Sequence, residues 1–226
     1  SSDVCSSDHQ FRLDRDRDAD ATADEALALV DGTDALARYR PLVLDRAALY
    51  ALAAGNADKA LELYAKLRPL VAASQAPEAG VNRLKLEVAE GSAALAAGKA
   101  DVALKDFAAA RALLTSMPEG LAPEPARSAD VAPEPRVFAR SDYLALLPAL
   151  EAHALRMQDK FSEAAAAMHA RRDALQARLK RLDLDEDLLD LASANYHLAE
   201  YAWRAKDADE AARSVGRCAG EAPDYT

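Results

Sequence analysis

The sequence predicts an all-α fold made of antiparallel helical hairpins. Three observations predict it. A six-residue turn occurs four times, as GNADKA at Gly55 to Ala60, GKADVA at Gly98 to Ala103, DKFSEA at Asp159 to Ala164 and KDADEA at Lys206 to Ala211. Each copy lies between two alanine- and leucine-rich stretches with helical spacing of their apolar residues. Alanine, the best helix former, is by far the commonest residue, and only 5% of the chain is aromatic.

The bulk properties narrow the function classes. The 226 residues can form one domain or a small array with a sizeable core. The net charge of −10 argues against a nucleic-acid partner. No apolar run approaches the roughly 20 residues of a membrane span. Cys5 and Cys218 form no disulfide framework and leave the redox compartment open, with the cytoplasm weakly favoured. Isoleucine is absent and arginine far outnumbers lysine, which points to a GC-rich bacterial genome. Ser1 to Asp8 contains SSD twice and reads as translated sequencing adapter; the other reading is a flexible Ser/Asp-rich tail. Either way it is set aside for fold purposes, and the native start is expected upstream.

Taken in order, residues 1–20 are expected to be a disordered tail. Its Asp14-Arg15-Asp16-Arg17-Asp18, followed by Glu25, has the acid spacing of a calcium loop. However, Ala19 stands where that loop needs Gly. The competing reading is a charged linker whose acids favour the next helix N-terminus. Helical repeats are expected over 21–115, beginning with a helix from about Thr22 to Val30, a break at Asp31-Gly32 and a short helix from Thr33 to Tyr39. Pro41 suits a first helical turn. The next helices are expected from Pro41 to Ala54, Ala57 to Ala73, Val81 to Ala97 and Asp101 to Leu114, with Pro69 kinking or ending the second. Residues 116–136 hold five of the ten prolines and read as a semi-rigid loop. Repeats resume over 137–219. Ser141 is the expected N-cap of a helix to Met157 that Pro148 kinks. A long helix follows from Phe161 to Arg181. Capping boxes are expected at Asp183 with Glu186 and at Asp207 with Glu210. Residues 220–226 read as a tail.

Aligning the four turns exposes a register. The sixth position is always alanine: Ala60, Ala103, Ala164 and Ala211. Four residues later stands a larger apolar group: Tyr64, Phe107, Met168 and Val215. Seven residues before each turn stands a small one: Ala48, Gly91, Ala152 and Ala199. Two helices joined by a tight turn need small residues where their axes cross, and a larger side chain to fill the gap to the next hairpin.

This register resembles the tetratricopeptide repeat (TPR). Gly91, Gly98, Ala103 and Phe107 match it best, and Gly55, Ala60 and Tyr64 nearly as well. The departures are the lost turn glycines at Asp159 and Lys206, the missing early aromatic and terminal proline, and turns that lie 43, 61 and 47 residues apart, against about 34 in the family. The resemblance implies a divergent, long-helix array, a right-handed α-α superhelix. HEAT-like and other α-α repeats stay open.

No HExxH, glycine-rich phosphate loop or GxSxG is present, and the reading is a non-enzyme without cofactor or metal. The resemblance implies a groove, lined by first helices, that binds a peptide or partner protein. Its positions would be Leu42, Asp45, Leu49 and Leu52; Lys85, Val88, Ser92 and Leu95; Leu146, His153, Arg156 and Met157; and Ser193, Tyr196, Glu200, Trp203 and Arg204. The C-terminal half is richer in recognition side chains, so the expected binding residues are Lys85, His153, Arg156, Tyr196, Glu200, Trp203 and Arg204. Two alternatives are an accessory or sensory region of a larger bacterial enzyme or regulator, and a calcium-modulated binding module.

Overall fold

A computed structural model describes residues 15–75, 79–117, 140–182 and 185–221. Among these residues it contains nine α-helices: α1 (Asp16–Asp31), α2 (Arg40–Ala53), α3 (Ala57–Ala73), α4 (Ala79–Ala96), α5 (Ala100–Ser116), α6 (Arg140–Met157), α7 (Phe161–Leu182), α8 (Asp185–Arg204) and α9 (Ala208–Glu221). A 3-10 turn at Asp34–Tyr39 joins α1 to α2. The expected proline-rich loop beyond Met117, the Asp183–Glu186 capping box and both chain ends lie outside the described residues. The chain divides into two compact units, 1–110 and 111–226.

The hexapeptide turns share one backbone solution. Gly55 and Gly98 have φ of 85° and 74°, and Asp159 and Lys206 take the same left-handed conformation at 58° and 66°. Each lies just past a helix end and closes it with a pair of hydrogen bonds. At the first turn the Gly55 N–H donates to Leu52 (3.0 Å) and the Asn56 N–H to Ala51 (2.7 Å). The equivalent pairs are Gly98 to Leu95 with Lys99 to Ala94, Asp159 to Arg156 with Lys160 to Leu155, and Lys206 to Trp203 with Asp207 to Ala202. This is the Schellman closure, which satisfies carbonyls that a helix end leaves open. The next helix starts at once, so one left-handed residue reverses the chain.

In unit 1 the alignment register is the packing register. Ala48 and Ala60 are fully buried at their helix crossing, and Tyr64 fills the space beside them. In the next hairpin a Cβ on Gly91 would come to 2.8 Å from Phe107 Cδ1 and 3.0 Å from Cζ, so the Phe107 ring occupies the place of a side chain. Turn lysines stitch the edge. Lys59 donates to Asp20 and Asp24 of α1, both at 2.7 Å, and Lys99 to Asp58 at 2.7 Å.

Helix α1 corrects the reading of the N-terminus. It begins at Asp16, inside the stretch expected to be a tail. Ala19, Ala23 and Ala26 are buried at helical spacing against unit 1, and this apolar stripe holds the charged residues in helix. Asp16 to Glu25 therefore form no calcium loop. Asp18 instead accepts from Arg15 at 2.7 Å, and Asp20 from Asn56 at 3.0 Å.

Unit 2 keeps the register with one departure. Ala152 and Ala164 are fully buried, Met168 is 2% exposed, and Leu175 and Leu198 complete the core. Val215, expected as a plug, is 60% exposed because Ser214, one position earlier, faces inward. Pro69 and Pro148 do not end their helices. Leu70 and Val71 beyond Pro69 pack on the core, and Pro148 is itself buried beside Leu147, so packing holds both segments helical. Ser141 lies inside α6 rather than capping it. The Asp207–Glu210 box is half formed. The Asp207 carboxylate accepts from the Glu210 N–H at 3.0 Å, but the Glu210 side chain turns to Arg213, Ser214 and Arg217.

Candidate partner-binding face

In unit 1, the groove positions are largely absorbed by packing. Val88 and Leu95 are buried, and Leu49 and Leu52 pack against the core. Ser92 turns its hydroxyl back to the Val88 carbonyl at 2.8 Å. Leu42 and Lys85 stay exposed, and Lys85 lies near enough to Asp45 to act on its charge.

Unit 1 also holds an ion cluster that sequence inspection missed. Arg68 on α3 donates to Glu87 at 2.7 and 3.1 Å, and to Glu90, both on α4. Asp106 on α5 brings its carboxylate within 4.8 Å of theirs. Burial raises Glu90 above the ordinary carboxylate range against the pull of Arg68. Burial and then Glu87 raise Asp106. One guanidinium faces three acids across two hairpins, which reads as a clamp between repeats.

Unit 2 has a different surface. On α6, Leu146 and Met157 are exposed at 41% and 39%, with His153 exposed between them. On α8, Tyr196 and Trp203 are 62% and 70% exposed. The polar groups among them are organised. Tyr196 meets His197 edge-on, with centroids 5.4 Å apart, and His197 stacks on Tyr201 at 5.9 Å. Glu200 lies 3.7 Å from His197 Nδ1 and accepts from Arg204 at 3.1 Å. Arg204 also lies over the Phe161 ring at 5.2 Å. Burial raises the Tyr201 phenol against the pull of the nearby Arg156, and Arg156 and His197 both act on His153. Six of the expected residues, His153, Arg156, Tyr196, Glu200, Trp203 and Arg204, thus stand on α6 and α8 of one unit. The seventh, Lys85, belongs to unit 1. His197, which the sequence places on a first helix as it does His153 but which was not counted among the binding residues, joins them. Tyr201 was missed, although it lies three residues before Arg204 on the same helical turn.

A second missed feature lies at α9. Glu210, 8% exposed, accepts from Ser214 at 3.0 Å, Arg213 at 3.0 Å and Arg217 at 3.2 Å, with His169 of α7 at 3.5 Å. Burial alone would raise its carboxyl, but these donors hold it below the usual range. Arginines and a serine at three, four and seven residues from a glutamate were the available signal. Cys218 is half-buried, its thiol 3.6 Å from the Ala192 carbonyl.

These features define a helical-hairpin repeat protein with an exposed aromatic and basic face on one of its units. No family model and no curated protein matches the chain. Solved structures do. The putative kinesin light chain TPR-like repeats of Podosopora anserina are 16% identical, cover 97% of this chain and 93% of theirs, and superpose with a TM-score of 0.69. BtubC (BKLC) from P. vanneervenii is 16% identical over 95% of this chain and 76% of its own, with a TM-score of 0.66. MamA from Desulfovibrio magneticus RS-1 is 14% identical over 97% and 92%, with a TM-score of 0.60. The chain has the TPR-like α-α repeat fold. Among the described residues, no helix is long and apolar enough to cross a membrane.

Proposed function

We propose that this protein is a non-enzymatic interaction scaffold, and that the α6–α8 face of unit 2 is where it holds a peptide or partner protein. The observation that carries this reading is Trp203, 70% exposed with Tyr196 at 62% on the same helix. Exposed large aromatics beside arginine are the composition of binding hot spots. The fold supports the reading, since stacked hairpins present long surfaces. The reading is the same for a free-standing scaffold and for the sensory arm of a longer bacterial protein, which the full-length reading frame separates. A pull-down comparing wild type with Arg156→Ala and Trp203→Ala tests it. Loss of the captured partner at unchanged melting temperature is expected, and retention of the same partner by both variants would remove the assignment.

A further inference from the structure

Helix α9 has two sides, and the fold uses one. Glu210, Ala211 and Ser214 turn inward, where the helix packs on α8 and His169 of α7 reaches Glu210. Ala208, Ala212, Val215 and Gly216 stand at the spacing of a single helix face, and all four are exposed. A Cβ added at Gly216 would meet nothing within 4 Å.

The repeat register says what this outer face corresponds to. Counted from the invariant alanine of the turn, Ala208, Ala212 and Val215 match Phe161, Ala165 and Met168 of α7. There Phe161 and Ala165 pack on the unit 2 core, and Met168 is buried in it with Leu191 and Ala194 of the following helix, α8. In α3 the counterparts of Ala212 and Val215 are Leu61 and Tyr64, which share the unit 1 core with Leu86 and Ala93 of α4. Val215 is 60% exposed where Tyr64 and Met168 are each 2%. A repeat face left to solvent needs polar cover. The outer side of α1 has it, in Arg17, Asp18, Asp24 and Glu25. On α9 the exposed charges among the described residues are Asp209 and Arg213, at one edge of the apolar stripe.

Those two charges point to the occupant. They lie four residues apart, acid first. When two copies of α9 lie antiparallel, the order reverses, and Asp209 of each copy faces Arg213 of the other. A parallel pair would set Asp209 against Asp209. Asp209 makes no ion pair among the described residues, and Arg213, which donates to Glu210 at 3.0 Å, keeps 57% of its side chain exposed. The stripe is also complementary to itself. A pair centred on Ala212 sets Ala208 against Gly216, and small residues let helix axes approach.

We propose that α9 is a self-association face, on which two copies of this chain pair antiparallel through Ala208, Ala212, Val215 and Gly216, with two Asp209–Arg213 ion pairs along the edge. Each contact occurs twice about a two-fold axis, as an isologous interface requires. The inference is independent of the α6–α8 reading. One 14-residue helix from each copy buries less than the roughly 1,200 Å² of standard interfaces, so the dimer is weak, with a Kd of about 10–100 μM.

Sedimentation equilibrium of the whole chain between about 2 and about 500 μM, with melting temperatures as the check on folding, tests it. The wild-type mass is expected to rise from that of one chain toward that of two. Val215→Arg, at an open position, should stay monomeric throughout at unchanged melting temperature. Asp209→Arg and Arg213→Glu should each weaken self-association at least about tenfold. Mixed in equal amounts they should form the dimer again, because each supplies the sign the other has lost. Val215→Arg and Asp209→Arg touch no buried group, so the test stands even if Arg213→Glu disturbs Glu210. A wild-type chain that keeps the mass of one copy would overturn the proposal, as would a dimer that survives Val215→Arg. A dimer that Asp209→Arg leaves at full strength would overturn the antiparallel pairing and, with it, the choice of occupant.

Discussion

The two units use the same hairpin and do different things with it. In unit 1 the turns are closed by Gly55 and Gly98, the groove positions Val88 and Leu95 are buried, and an arginine clamps one hairpin to the next. In unit 2 the turns are closed by Asp159 and Lys206, each holding a left-handed conformation that costs an L-residue about 1 kcal/mol. There Tyr196 and Trp203 face solvent. The comparison shows where the repeat tolerates drift. The alanine at the helix crossing is kept in all four copies, because helix separation depends on it. The turn glycine is not, because its loss costs a bounded amount that packing on both sides can offset.

The largest effects should come from the side chains that fill the space between hairpins. Phe107→Ala in unit 1 should destabilise by about 3–5 kcal/mol, and Met168→Ala in unit 2 by about 2–4 kcal/mol. Denaturant unfolding measures both. Equal, small losses would mean that the larger residue in the register is not a plug. Gly91→Ala tests the same seam from the other side. Alanine gains up to about 1 kcal/mol in helix propensity. The collision with the buried Phe107 ring should outweigh that gain, leaving a net loss of about 1–2 kcal/mol. A stabilised variant would show that the ring yields.

Acid should separate the units. Glu90 and Asp106 in unit 1 have raised carboxyl values, so the folded state holds their protons more firmly than the unfolded chain does. Their unfavourable contribution is present at neutral pH and fades as pH falls toward the ordinary carboxylate range. Glu210 in unit 2 is lowered, so its contribution is present above the ordinary carboxylate value and is lost as pH falls through its folded value. Thermal unfolding at pH 7, about pH 4.5 and about pH 3 should therefore show Glu90→Gln mattering less by pH 4.5, and Glu210→Gln keeping most of its cost at pH 4.5 and losing it toward pH 3. The opposite order would break the contrast between the clamps.

The smallest effects lie at the turns. Asp159→Gly and Lys206→Gly should each stabilise by about 0.5–1 kcal/mol, while Gly55→Ala and Gly98→Ala should each cost about 1 kcal/mol. A Cβ at Gly55 or Gly98 meets nothing within 4 Å, so the cost there is conformational alone. Matched losses and gains would confirm that the four turns are one structure with different residues.

The hairpin array was legible because its signal is local. The turn hexapeptide, its alanine and the small residue seven positions earlier all lie within one hairpin, and the structure buries Ala48, Ala60, Ala103, Ala152 and Ala164 completely. What was not legible depends on which neighbour each helix meets. The acidic stretch from Asp16 looked like solvent-facing linker until Ala19 and Ala23 were seen packed on unit 1. Val215 kept the spacing of a plug, yet Ser214 took the inward position. The Arg68 clamp joins residues of different hairpins, for which no local spacing exists. On the candidate face, side-chain type singled out Tyr196 and Trp203, but their exposure follows from tertiary packing.

The central claim is that unit 1 supplies structure and the α6–α8 face of unit 2 supplies recognition. Amide hydrogen exchange of the whole protein, with and without a partner captured by the wild-type chain, tests it most directly. The account predicts added protection centred on the ends of α6 and α8 around Arg156 and Trp203, with α2 showing none. Protection centred on α2 and α4 around Leu42 and Lys85, with α6 and α8 unchanged, would contradict it.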